Sequence, residues 1–160
     1  MILFYGHNPG TPYACFSNWF PAAFDIDGYH YWCSEQYMMH QKALLFGDQT
    51  IAEEIMRSND QKEIKALGRK VTPFDAETWN AQSTQIMFEG LLAKFSQNPE
   101  MKEELLSTDN AIIAEAAPRD LIWGIGLGKN NPKAQDPVNW RGKNKLGYVL
   151  MDVREALRNN

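Results

Sequence analysis

Residues 32–46 read WCSEQYMMHQKALLF. Ser34 is a good N-cap residue, because its hydroxyl can accept a hydrogen bond from a free N–H of a first helical turn. Residues 36–46 contain no Gly, Pro or β-branched residue, so the stretch predicts a helix. Glu35 falls at the first helical position, beside the positive end of the helix dipole, which favours its ionised form. Lys42 follows seven residues later. At about 100° per residue it returns to within about 20° of Glu35, two turns on and about 10 Å away. Met38 and Met39 lie on the stripe between them, so a carboxylate and an amine share one face with apolar neighbours. Most helical Glu and Lys residues are solvated surface groups. Here Tyr37, Met38, Met39, Ala43, Leu44, Leu45 and Phe46 leave little of the helix polar. A helix apolar nearly all round is buried, and ionisable groups on it need partners or a cleft.

Upstream, residues 24–31 (FDIDGYHY) alternate apolar and polar around Asp27-Gly28, a strong hairpin signal because both turn positions need positive φ. That hairpin delivers Trp32 to the helix. Residues 2–5 predict a strand, residues 7–12 (HNPGTP) a loop, and residues 16–21 (FSNWFP) an aromatic segment with a polar Ser17-Asn18 insert. Downstream, Gly47 and Asp48 end the first helix and cap a second, which runs to about residue 58. Asp60 with Glu63 starts a third, and Gly68 reads as its C-terminal stop. Asp75 caps a long helix to about residue 97, which Asn98-Pro99 breaks. A short helix follows to residue 106, and residues 111–116 (AIIAEA) predict a strand. Residues 117–144 read as irregular, and residues 145–157 as a closing amphipathic helix with Leu146, Val149, Leu150, Val153 and Leu157 on one stripe. The pattern predicts one α+β domain over residues 1–160, mainly helical, with a small antiparallel sheet.

Composition narrows the function classes. The 160 residues are 44% hydrophobic and 22% charged, as in ordinary globular proteins. A net charge of −4 gives no global field for nucleic acid or acidic lipid, although local anion sites remain possible. No apolar run is long enough for a membrane span, and MILFYGHNPG is not a secretion signal. Cys15 and Cys33 are the only cysteines and read as cytoplasmic thiols rather than a disulfide. Five Trp and eight Phe suit a tight core or a pocket that stacks flat rings.

Three constellations bear on chemistry. On the Glu35/Lys42 face, a Lys held among apolar groups should have a lowered pKa. A neutral amine can attack a carbonyl carbon or a sugar C1 and form an imine, while Glu35 accepts and returns a proton. The alternative is a plain Glu35–Lys42 contact or separate surface roles. Second, residues 120–128 (DLIWGIGLG) place glycines at alternate positions, where backbone N–H groups can turn toward a phosphate. The same pattern occurs in many plain loops, and it is not the dinucleotide fingerprint. Third, residues 140–144 (WRGKN) put two cations just before the last helix, and Arg69 and Lys70 add positive charge. Together these suit a phosphorylated ligand or a solvated basic surface. Metal ligation is not expected: Glu35 and His40 diverge by about 140° on a helix, and the cysteines have no C-x-x-C spacing. Nor is there a G-x-S-x-G nucleophile elbow.

FSNWFP at 16–21, WCSEQYMMHQKALLF at 32–46, Gly68-Arg69, KFSQNP at 94–99, DLIWGIGL at 120–127 and the W-R-G-x-N-x-L-G-Y-x-L-M run at 140–151 together resemble the NADAR superfamily, specifically its YbiA-like proteins. The resemblance covers nearly the whole chain and implies an N-glycosidase, a hydrolase acting on ribose-phosphate-linked aminopyrimidines of riboflavin synthesis. The products would be ribose 5-phosphate and a free base, a form of metabolite damage pre-emption. Other family members remove ADP-ribose from guanine bases, so nucleic acid is a partner only under that alternative. A non-catalytic NAD or ADP-ribose binding module is a third reading. The resemblance implies catalytic roles for Glu35, Lys42 and Asp120. It implies substrate contacts for Asn18, Trp32, Ser34, Arg69, Trp123, Gly124, Gly126, Arg141 and Asn144. It implies no cofactor. Some relatives carry an acid directly after Trp-Gly, where this chain has Ile125, so Asp120 or Asp136 is expected to compensate.

Overall fold

Three aspartates start three of the helices. In the computed structural model, which describes residues 1–159, the Asp48 carboxylate accepts the Ile51 N–H at 3.1 Å at the head of α2 (Gln49–Arg57). Asp60 does the same for Lys62 at 3.0 Å before α3 (Gln61–Arg69), and Asp75 for Thr78 at 2.9 Å before α4 (Ala76–Gln97). These side chains satisfy N–H groups that the first turn leaves unpaired. Pro99 opens α5 (Pro99–Leu106), where its missing N–H costs nothing. The remaining helices are α1 (Ser34–Leu45) and α6 (Lys145–Arg158).

Asp27 and Gly28 adopt φ of 52° and 85° and join β2 (Phe24–Ile26) to β3 (Tyr29–Tyr31) as an antiparallel hairpin. The second strand pair is parallel. β1 (Ile2–Phe4) lies beside β4 (Ile113–Glu115), with Leu3 opposite Ala114. The antiparallel expectation therefore holds for the hairpin alone. The hairpin and five helices separate β1 from β4, and parallel pairing needs a long crossover of that kind.

α1 is the centre of the packing. It is flanked by α2, α3 and α4, while α6 covers α4, α5 and β4. Tyr37, Met38 and Met39 are buried, as is nearly all of the helix up to His40; Leu44 and Leu45 emerge at its C-terminal end. Two expectations about this helix layer change. Gly68 is not a stop: α3 runs through it to Arg69, and a Cβ at Gly68 would lie 2.0 Å from Met39 Sδ. The glycine lets α3 approach α1. Ser34 is not the cap either. Cys33 precedes the helix in extended conformation without a side-chain cap, and Ser34 is already helical.

Beneath α1, Lys94 is fully enclosed, and its Nζ donates to the Ser17 carbonyl at 3.1 Å. Residues 117–144 are irregular apart from 3-10 turns at Pro132–Gln135 and Pro137–Asn139, and they cover a small second core around Ala114, Ile125 and Leu127. No helix among the described residues is long and apolar enough to cross a membrane.

Candidate active site

The start of α1 is fixed by the aromatic segment. The Asn18 carbonyl accepts the Glu35 N–H at 2.9 Å, and Asn18 Oδ1 accepts the Ser34 hydroxyl at 2.9 Å. Asn18 and Ser34 thus hold each other and the helix end, and Ser34 is fully buried. Glu35, only 8% exposed, loses most of its hydration, and burial pushes its carboxyl up to about 7. The Lys65 ammonium opposes that rise, the Asp120 carboxylate adds to it, and Lys42 opposes it.

Two turns along, Lys42 is half-buried. Its Nζ lies 4.6 Å from the Phe74 ring centroid and 5.8 Å from that of Trp79. Burial lowers its pKa; Glu35 pulls it back up, and the Arg69 guanidinium pushes it further down. Glu35 and Lys42 feel each other's charge, yet no ion pair joins them among the described residues. A carboxyl of raised pKa and an amine of lowered pKa on one helix face are an acid and a nucleophile of matched kind.

A second carboxyl faces Glu35. Glu115 ends β4 with its backbone locked: its N–H donates to Asn144 Oδ1 at 3.1 Å, and its carbonyl accepts Ile125 and Ala117 N–H groups, each at 2.9 Å. Burial pushes its side chain up to about 7; Asp120 and Glu35 add to the rise and Lys65 opposes it. Lys65 in turn sits 5.9 Å from the Trp19 ring, and Gln61 Nε2 donates to the Trp19 carbonyl at 2.9 Å. Glu115, Lys65 and Trp19 are absent from the residues the sequence singles out. An acid at the end of an otherwise apolar strand, in AIIAEA, is the signal that points to Glu115. Nothing local marks Lys65, which reads as one more helical surface lysine.

The remaining expected residues divide. Asp120 is electrostatically coupled to both glutamates, and its Oδ1 also accepts the Ile122 and Trp123 N–H groups at 3.0 and 2.8 Å, so it shapes the turn as well. Arg69 is exposed and within electrostatic reach of Lys42. Trp123 is half-buried, with Lys145 Nζ 4.9 Å from its ring. The Trp32 indole N–H is already taken by the Ser58 carbonyl at 2.9 Å.

The C-terminal set departs from the phosphate-cradle expectation. Gly124 and Gly126 are buried, and the directions of their missing Cβ atoms are filled: Ala117 Cβ lies 2.9 Å from the Gly124 position, Leu121 Cδ2 2.8 Å from that of Gly126. These glycines answer a packing need. Gly142 is tighter still, since its Cβ would meet the Gly124 carbonyl at 2.2 Å. Asn144 is hydrogen-bonded to β4 on both sides of its amide. It is wholly buried in left-handed backbone (φ 52°), its Nδ2 donates to the Ile113 carbonyl at 3.0 Å, and its own N–H reaches Gly124 O at 3.0 Å. Arg141 is exposed, with its backbone held by Ile125. Ile125 is fully buried in the second core, and Asp136 is exposed and caps Val138 at 3.1 Å; of Asp120 and Asp136, only Asp120 is electrostatically coupled to Glu35.

The NADAR domain family matches residues 3–158. An N-glycosidase of Acanthamoeba polyphaga mimivirus is 44% identical, with 96% of this chain and 94% of that protein covered. An N-glycosidase of Nostoc punctiforme is 34% identical over 99% of this chain and 94% of that protein. The NMR structure of the E. coli protein YbiA superposes with a TM-score of 0.79 at 30% identity, covering 99% of this chain and 86% of that one. With the sequence matched along almost its full length and the fold shared with that structure, the chain belongs to the NADAR domain family.

Proposed function

We propose that this chain hydrolyses the N-glycosidic bond of phosphorylated ribosides, with ribosyl-aminopyrimidine intermediates of riboflavin synthesis as the substrate class. Its family relatives are N-glycosidases, and the chain is accordingly a hydrolase acting on N-glycosyl compounds. The observation that carries the reading is the pairing on α1: a carboxyl raised to about 7 and an amine whose pKa burial lowers, on one face and not in ion contact.

The chemistry follows from that pairing. The neutral Lys42 amine forms a bond to ribose C1 as the C1–base bond breaks. The bonding pair leaves with the base, which takes the Glu35 proton. The adduct nitrogen passes one proton to the ring oxygen as the C1–oxygen bond breaks, leaving an open-chain protonated imine. Water gives a proton to the Glu35 carboxylate as its oxygen adds to that carbon. The new hydroxyl's proton then passes to nitrogen, and Lys42 leaves as the neutral amine with the sugar as its aldehyde. Burial, with a smaller contribution from the Asp120 carboxylate, favours the protonated form of Glu35 near neutral pH. Arg69, exposed beside Lys42, is positioned for the sugar phosphate, with Arg141 a further candidate. No cofactor enters this scheme. We assign the activity to the cytoplasm, supported by two buried free thiols, Cys15 and Cys33.

The test is to incubate the protein with the riboflavin intermediates, and separately with ADP-ribosylated DNA, following released base and trapping with borohydride. Release from the intermediates together with a reduced adduct on Lys42 supports the reading. Release from the DNA alone reassigns the substrate, and turnover without an adduct assigns attack to water activated by Glu35. Release from neither makes the chain a binding module.

A further inference from the structure

Phe74 is a large aromatic left 45% exposed beside the candidate nucleophile. It sits on a short loop tied down on both sides. Before it, the Thr72 N–H donates to Asp48 Oδ2 at 2.9 Å. After it, Asp75 caps α4, accepting the Thr78 N–H at 2.9 Å and the Thr78 hydroxyl at 2.6 Å. Its ring packs edge-on against Phe46, with centroids 5.1 Å apart, and Lys42 Nζ stands over it at 4.6 Å. Trp79, nearly buried, closes the other side of the amine. The ring is therefore held in place, and part of it still faces solvent.

That placement has a consequence for any carbon Lys42 attacks. A reacting carbon stands about 3 Å from the attacking nitrogen. The bond from that carbon to a leaving nitrogen adds roughly 1.45 Å. The leaving nitrogen thus stands about 4.5 Å from Nζ, and a flat base on it can reach a ring centred 4.6 Å from Nζ when the carbon approaches from the exposed side of Phe74. We propose that Phe74 is a substrate-contacting residue whose exposed surface packs against the flat base of a phosphorylated N-riboside. The assignment rests on the N-riboside reading of the site, and the probes below separate the two. Aromatic contact suits a leaving group recognised by its π-face, and it tolerates differences in ring substituents.

The experiment measures binding of two probes to the intact protein: adenosine 5'-monophosphate, an N-riboside phosphate with a flat base, and ribose 5-phosphate, the same sugar phosphate without one. The variants are Phe74→Ala, Phe74→Leu, which keeps apolar volume without a ring, and Phe74→Trp. The expected result is a Kd for the nucleotide raised several-fold, up to about tenfold, in the Ala and Leu variants, the size of one aromatic contact. Ribose 5-phosphate binding stays unchanged, and the Trp variant keeps both affinities. Equal loss of both probes makes Phe74 a wall of the sugar site and overturns the base contact, as does no change in either. Failure of the wild type to bind either probe overturns the N-riboside reading, and this assignment with it.

Discussion

Lys42 and Lys94 are two amines taken out of water by helices of the same core, and they do opposite jobs. Lys94 is enclosed completely. Burial lowers its pKa to about 8, and its one hydrogen-bond partner among the described residues is the Ser17 carbonyl, next to the residue that holds the Glu35 N–H. It ties a loop to a helix. Lys42 is only half-buried, lies against the rings of Phe74 and Trp79, and has a raised carboxyl on its own face. The difference shows what makes a buried amine available for chemistry. Loss of water lowers the pKa of both; only the one with an open side can meet a substrate.

The largest expected effect is on that open side. Lys42→Met should lower turnover about a thousandfold or more, roughly 4 kcal/mol of transition-state stabilisation, with little change in Tm. Activity and thermal melts of the purified variant check it, and near-normal turnover would remove the contrast between the two lysines.

Next comes the carboxyl that Lys94 lacks. Below pH 4.5 Glu35 is protonated in both the folded and unfolded chain. Between 4.5 and about 7 only the unfolded chain releases its proton, so stability falls as pH rises, and above about 7 the full cost of about 3 kcal/mol is present. Glu35→Gln should reduce the slope of that part of the curve of denaturation midpoint against pH, leaving the share of Glu115, and raise stability at pH 8, while activity falls. An unchanged slope would mean that Glu35 is ordinarily solvated.

Lys94→Met tests the other side of the comparison. Replacing an enclosed ammonium by an apolar side chain of similar length should be neutral or stabilising by about 1–3 kcal/mol near pH 7. It should also remove a rise in stability between pH 8 and 10.5, where only the folded state has lost the proton. Activity should stay within tenfold; a loss matching that of Lys42→Met would give Lys94 more than a tether's role. The smallest effect is expected at the rim: Arg141→Ala should leave Tm unchanged and raise KM for a phosphorylated substrate a few-fold, read from steady-state kinetics.

The helical layer was legible because its signals are local. Asp48, Asp60 and Asp75 bond groups two or three residues away, and Asp27-Gly28 needs only its own backbone angles. The Glu35/Lys42 face was legible for the same reason, since helical periodicity alone aligns the two. Pairings across the chain left no such trace. Nothing near Ile2 announces Ile113 as a parallel neighbour, and nothing in α3 says that Lys65 will stand between two glutamates. The glycines of residues 124–142 misled because small size serves a phosphate and a crowded backbone equally well. Ser34 misled by chemistry rather than distance: its hydroxyl found Asn18 before it could cap its own helix.

Asn144 ties the second carboxyl of the site to the chain that follows it. Its amide oxygen holds the Glu115 N–H, its amide nitrogen holds the Ile113 carbonyl, and its backbone bonds Gly124. β4 is three residues long and pairs with an equally short β1, so this side chain supplies much of what fixes the strand end. Glu35 and Lys42 are aligned by one helix, whereas Glu115 is held by partners from distant parts of the chain, Phe4 before it and Asn144 about thirty residues after it. The two carboxyls of the site therefore differ in what unfolding must break to release them.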